Sequence, residues 1–421
     1  MTRATERFED KREAILDGAA RLFNQHGIKG GLLSELAQRM GLATNSLTYY
    51  YRKKEDLACA CLQRAMDALV AVADAAARQR TLQARIRAFV GGYIGLLADI
   101  AEGRRAELIV FSDLLSLAPP QRDPMADAYT QMFRRVRALL DTADSPRLES
   151  AARNARAHLL LSTVCWARAW IARHEPIDYA RVAAQVTDIM LTGIAGRGHR
   201  IADAPQRVSP ALPSDEDDAT RGAYLRAATR LVNEYGYRGA SVDRIAAELC
   251  LTKGSFYHHH ETKDELIAAC FERTFAVMRA AQTAALATPG SGLDRLAIAC
   301  RSLLDYQMSS QGPLLRVTAW TGLPAAIKDD TRRTMGRLGE RFAALVVDGM
   351  ADGSLRIVDP SIAAQVINGM VNAAAELERW VPGAHAGNAF DLYAMPLFSG
   401  LQPPAADVPG ASAQARATTA P

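Results

Sequence analysis

The run Thr252-Lys253-Gly254-Ser255-Phe256-Tyr257-His258-His259 gathers residue types suited to contact a nucleic-acid duplex. A lysine ammonium reaches a guanine edge or a phosphate, and a neighbouring glycine lets the main chain approach closely. Tyr257 falls one turn past Lys253 on the same helical face. Thr262 and Glu265 have capping-box spacing, so the next helix would open with free N–H groups that can meet a phosphate beside Lys263. The triplet His258-His259-His260 invites a metal reading. Consecutive helical side chains diverge by about 100°, however, and three adjacent histidines cannot converge on one ion. No metal and no cofactor is expected.

These residues need short helices to hold them. Gly236 stands where a left-handed residue ends a first helix. Ser241 caps a short helix whose buried face is Val242, Ile245, Ala246 and Leu249. Cys250-Leu251 turns the chain, and Thr252 caps a second short helix, Lys253–His260. Two short helices joined by a tight turn make a helix-turn-helix.

The same block occurs twice. Residues 12–57 align without a gap to 221–266 at a constant shift of 209. Arg12, Leu16, Ala19, Leu22, Asn24, Gly27, Ala37, Leu42, Ser46, Lys54 and Leu57 recur as Arg221, Leu225, Ala228, Leu231, Asn233, Gly236, Ala246, Leu251, Ser255, Lys263 and Leu266. The shift is about half the chain, so the protein reads as a tandem duplication. Leu191-Thr192-Gly193-Ile194 and Phe398-Ser399-Gly400-Leu401 echo it near the ends of the halves. The first copy departs in detail. Ala43 replaces the capping Thr252, with Thr44 as a cap one residue later; Leu32 replaces Ser241, Thr48 replaces Tyr257, and Lys53 replaces Thr262. Thr44, Asn45, Thr48, Tyr49, Tyr50 and Lys54 remain available to a duplex. Of Tyr49-Tyr50-Tyr51, one must pack inward and another face outward. The first copy is thus either a reader of a different sequence, which Arg52-Lys53-Lys54 favours, or a degenerate module kept for structure.

Ala, Leu and Arg dominate long stretches and aromatics are 6% of the 421 residues, a mixture that favours helix over strand. Amphipathic segments are predicted at 54–78, 81–101, 125–143, 148–173 and 179–195, and again at 263–287, 293–310, 329–351 and 361–380. The stretch 197–219, with three prolines and an acidic run, reads as a linker, and 402–421 as a disordered tail. A net charge of +4 permits nucleic acid without arguing for it. The six cysteines have no zinc or redox spacing. The N-terminus lacks a signal-peptide pattern and no apolar run spans a bilayer, so a cytoplasmic location is expected. The absence of a nucleotide loop, a G-x-S-x-G elbow or an H-E-x-x-H pair argues against an enzyme.

The second block resembles the tetracycline-repressor (TetR/AcrR) family in Gly236-Tyr237, Ser241-Val242, Ile245-Ala246, Leu251–His259, Lys263 and Leu266. The resemblance implies an all-α fold of two tandem units, each a three-helix DNA-binding domain followed by a helical ligand-binding and dimerisation domain. The expected boundaries are 8–58 and 59–196, the linker 197–219, then 220–267, 268–401 and the tail 402–421. It further implies that Lys253, Gly254 and Tyr257 face the groove and that His259 and Lys263 face phosphates. Ser241, Thr252, Ser255 and His258 complete the candidate contacts. The expected partners are a double-stranded operator and a small-molecule effector, with Trp166, Trp170, Trp320 and Trp380 as candidate cavity residues. The halves would pair as an intramolecular pseudo-dimer or through homodimerisation, and repression is the family's usual mode. The competing reading is a helical ligand-sensing adaptor in which only the second module binds DNA.

Overall fold

The computed structural model describes residues 3–41, 43–145, 147–201, 219–252, 254, 262–316 and 325–402. Each half opens with a helical head, of three helices in the first. In the first, α1 (Arg3–His26) stops at Gly27, whose φ of 72° is left-handed, and is followed by α2 (Leu33–Arg39) and α3 (Thr44–Tyr50). Ile15, Ala19, Leu22 and Phe23 recur at helical spacing, so α1 buries one stripe against Leu36, Ala37 and Leu47. In the second, α9 (Ala219–Gly239) is broken at Gly236 (φ 71°), and α10 (Val242–Glu248) buries Ile245 and Ala246. The expected helix Lys253–His260 lies, but for Gly254, outside the described residues, as do Trp320 and nearly all of the expected linker and tail.

The helical body of the first half is α4 (Lys54–Ala77), α5 (Leu82–Ala101), α6 (Arg122–Ala138), α7 (Ser150–Ala167) and α8 (Tyr179–Thr192). That of the second is α11 (Lys263–Ala287), α12 (Gly292–Gln307), α13 (Ala325–Ala351), α14 (Pro360–Ala373), α15 (Leu377–Trp380) and α16 (Met395–Ser399). Local chemistry sets several starts. Thr81, Ser291 and Asp359 each accept a main-chain N–H at the N-cap, and Pro360 occupies the first turn where its missing donor costs nothing. Among the described residues there is no strand, only an isolated bridge between Ala195 and Leu355.

Three expectations need correction. The segment predicted over 148–173 ends its α-helix at Ala167 and continues only as a 3-10 turn at Ile171–Arg173, beyond which Pro176 holds Glu175 extended. The segment predicted over 361–380 tightens into a 3-10 turn at Ala374–Glu376, which sets Glu376 against Arg316 and Trp380 against Phe133. The π turn Phe390–Ala394 leading into α16 had no counterpart in the prediction. Pro396 sits in the first turn of α16, where proline is tolerated.

The two halves pack on each other. Helices α7 and α8 lie against α14 and the 390–399 segment, as a four-helix arrangement. The contacts are reciprocal. Ile194 N donates to Leu397 O at 3.1 Å, and Leu401 N donates to Met190 O at 2.8 Å. These are one bond seen from each half, since 194 corresponds to 401 and 190 to 397. The pattern repeats where the heads meet. Arg238 Nε lies 2.8 Å from where a Cβ on Gly30 would be, and Lys29 Nζ lies 3.0 Å from the same point on Gly239. Residue i meeting j while j meets i is the mark of an isologous, two-fold interface.

Candidate nucleic-acid interface and cavity

In the first head Ala43 occupies the N-cap of α3 and offers no side-chain acceptor, so Thr44 opens the helix instead of capping it. Loss of such a cap costs about 0.5–2 kcal/mol. Asn45 and Ser46 are exposed, and Thr48 Oγ1 donates to Asn45 O at 2.9 Å. The three tyrosines separate as helical geometry demands. Tyr49 is 77% exposed, Tyr50 stacks on Phe8 at 4.9 Å, and Tyr51 is buried. The outward face of α3 is therefore Asn45, Ser46 and Tyr49. Lys54 Nζ turns back and donates to Lys29 O at 3.1 Å.

In the second head Ser241 Oγ accepts from Arg244 N at 3.2 Å and caps α10. Cys250 makes the turn with φ 55°, a left-handed conformation that Gly41 supplies at the equivalent place. Thr252 and Gly254 are exposed. Lys253, Ser255, Tyr257, His258 and His259 lie outside the described residues, and so does His260. Thr262 and Glu265 form the expected capping box at the start of α11. Lys263 Nζ donates to Tyr237 O and lies 4.3 Å from that residue's ring centre. Burial, with Arg238 and Lys29 nearby, pulls its pKa down to about 8 against the pull of Asp264. Lys54, expected to be available to a duplex, and Lys263, expected at a phosphate, thus both rest on main-chain carbonyls of their own heads.

A cavity of about 380 Å³ lies in the helical body of the first half and is closed by the second half. Its wall includes Tyr93, the 109–112 connector, Tyr129, His158, Trp166 and Arg168 from the first half. Arg316, Gly369, Glu376, Arg379 and Trp380 come from the second. Trp166 and Trp380 line it, while Trp170 is buried and stacks edge-on with His174. Arg168 pairs with Glu107 at 2.5 Å and Arg316 with Glu376 at 2.6 Å. His158 Nε2 donates to Ala373 O at 3.1 Å, and burial pulls the His158 pKa down, keeping the ring neutral. Burial likewise pushes Tyr129 well above the usual phenol range.

Sequence reasoning noted Asn24 and Asn233 only as repeated residues. The structure gives both the same task. Asn24 Nδ2 donates to Leu108 O and its Oδ1 accepts from Val110 N, each at 2.9 Å. Asn233 holds Leu314 O and Arg316 N at the same distances. Each carboxamide pins the end of a head's first helix to the connector beside the helical body. A polar residue retained on an otherwise apolar stripe was the signal in the sequence.

The family described as bacterial regulatory proteins, tetR family, matches residues 15–61 and again 225–270, and a tetracyclin repressor-like C-terminal domain matches 289–380. The transposon Tn10 TetC protein of Escherichia coli is 34% identical over 62 residues; the match covers 15% of this chain and 32%, about a third, of TetC. Among solved structures, the TetR family transcriptional regulator PfmR from Thermus thermophilus is 22% identical, covering 42% of this chain and 95% of its own, with a TM-score of 0.35. AibR in complex with isovaleryl coenzyme A and operator DNA is 21% identical, covering 42% and 98%, with a TM-score of 0.36. Two matches to the family's N-terminal domain, set 210 residues apart on equivalent heads, and a third to its C-terminal domain place this chain in the tetR family of bacterial regulatory proteins.

Proposed function

We propose that the chain is a sequence-specific DNA-binding transcription regulator that presents two unlike reading heads from one polypeptide. The observation that carries this reading is the reciprocal packing of the halves on equivalent residues, at Gly193 and Gly400 and again at the heads. A tetR-family protein meets its operator as a symmetric pair, and this chain holds both members of such a pair. The reading heads would use Asn45, Tyr49, Tyr50, Thr44, Thr48 and Lys54 on one side, and Ser241, Thr252 to Ser255, Tyr257 to His259 and Lys263 on the other. The two α3-type helices differ in sequence, so the preferred operator is asymmetric. An effector in the cavity would shift the heads by binding one arrangement more tightly than the other. Repression in the cytoplasm is the expected outcome.

Selection from random duplexes, with the mass of the complex measured, tests this. One chain on an asymmetric site is the expected result. Two chains on a palindrome would replace the intramolecular pairing by homodimerisation, and no enriched sequence would remove the regulator reading. A second reading is an adaptor in which only the second head binds DNA. The uncapped start of α3 favours it. Asn45→Ala with Tyr49→Ala would then leave DNA affinity unchanged, whereas Lys263→Ala would weaken it on every sequence and Tyr257→Ala would relax the sequence preference.

A further inference from the structure

The cavity has a chemical character that its position alone does not dictate. Its charged lining is Arg168, Arg316, Arg332 and Arg379 with Glu376; Arg168 is paired with Glu107 and Arg332 with Asp329 behind the wall, and Arg316 with Glu376 on it. Guanidinium groups meeting an acceptor-rich occupant make charge-assisted hydrogen bonds, so this lining suits an anion. Trp166, Trp380, Tyr129 and Leu161 supply flat apolar walls for the rest of it.

The cavity touches the first head at Asn24 and is linked to the second through Arg316. On one side Arg168 pairs with Glu107, whose other carboxylate oxygen lies 3.8 Å from Arg21 of α1, and Asn24 of α1 holds Val110. On the other, the main-chain N–H of Arg316 is held by Asn233 of α9 while its guanidinium enters the cavity to meet Glu376. Arg316 therefore belongs to two assemblies at once: its backbone to the second head's hinge, its side chain to a cavity built mainly by the first half.

We propose that this cavity takes an organic anion with an aromatic or similarly flat apolar body, and that the anion engages Arg316 in competition with Glu376. The effector would then act on the second head across the interface as well as on the first head beneath it. This rests on the regulator reading above and adds the ligand's chemical class and the route of its effect.

The test uses the full chain with 2-naphthoate and, as its uncharged counterpart, 2-naphthylmethanol, each titrated calorimetrically. Naphthoate should bind about tenfold more tightly than the alcohol or better, the scale of one charge-assisted hydrogen-bond pair. Arg316→Met should erase that preference while sparing the alcohol. Glu376→Gln, which frees Arg316 and keeps the shape of the site, should tighten naphthoate and leave the alcohol unchanged. This second variant keeps the test decisive if Arg316→Met fails to fold. Equal binding of both probes, binding of neither, or indifference to Glu376→Gln overturns the proposal. Duplex binding without any probe present is read in parallel: if it persists, only the anion assignment falls, and if no duplex is bound, the regulator reading falls independently.

Discussion

Gly193 lies against the carbonyl of Phe398 as Gly400 lies against the carbonyl of Leu191. Both glycines end a helix of the interface with positive φ, 73° and 89°. A Cβ on either would overlap the opposing main chain, which no side-chain rearrangement relieves. Gly193→Ala and Gly400→Ala should each cost about 2–4 kcal/mol, from left-handed strain plus overlap at a packed contact. Gly91→Ala in α5, where a Cβ meets nothing within 4 Å, should be neutral or stabilising by up to about 1 kcal/mol. Urea midpoints of the three variants decide it, and a Gly193→Ala protein as stable as Gly91→Ala would refute the reciprocal contact.

Cys250 occupies a backbone conformation that suits glycine, and its counterpart Gly41 shows the cheaper solution. Cys250→Gly is expected to stabilise the second head by about 1 kcal/mol, and Gly41→Ala to destabilise the first by a similar amount. Thermal denaturation should show opposite shifts for the two substitutions.

The ammonium of Lys263 titrates near pH 8 in the free protein, against an ordinary 10.5. A depressed lysine pKa disfavours the folded state at low pH, and that penalty fades as pH rises from about 8 towards 10.5. A phosphate at Lys263 would restore the charged form, so binding a duplex takes up a proton. Duplex affinity should therefore fall above pH 8 by up to about tenfold per unit. Lys263→Arg, charged throughout, should flatten the profile. A flat profile in the unaltered protein would mean that Lys263 stays on Tyr237 O when DNA is bound.

His158 is buried at the interface and its pKa is pulled below the ordinary 6.5. As pH falls through 6.5 the unfolded chain takes up a proton that the folded ring refuses, so stability should drop on the acid side. His158→Gln preserves a donor for Ala373 O and removes the titration. Melting temperatures at pH 7.5 and 5 should diverge more for the unaltered protein than for this variant.

Local patterns made the heads legible before any coordinates. Gly236, Ser241 and the Thr262–Glu265 pair each act within a few residues, so spacing alone carries their structural meaning. Most helix starts in the helical bodies followed from periodicity for the same reason. The cavity was not legible: Arg168, Arg316 and Trp380 are far apart along the chain and meet only because α7 and α14 pack. Lys54 and Lys263 show the same limit. Their positions in the motif were evident, but the carbonyls that attract them lie more than twenty residues away along the chain.

Under the intramolecular pairing proposed above, the association of α7, α8, α14 and α16 is a unimolecular event. Dilution cannot dissociate it. A bundle assembled from separate subunits forms in proportion to the square of their concentration, and at a few copies per cell much of such a protein would be unpaired. Here each translated chain arrives with its mate attached, and the two heads are free to accumulate different mutations without ever having to recognise an altered copy of themselves.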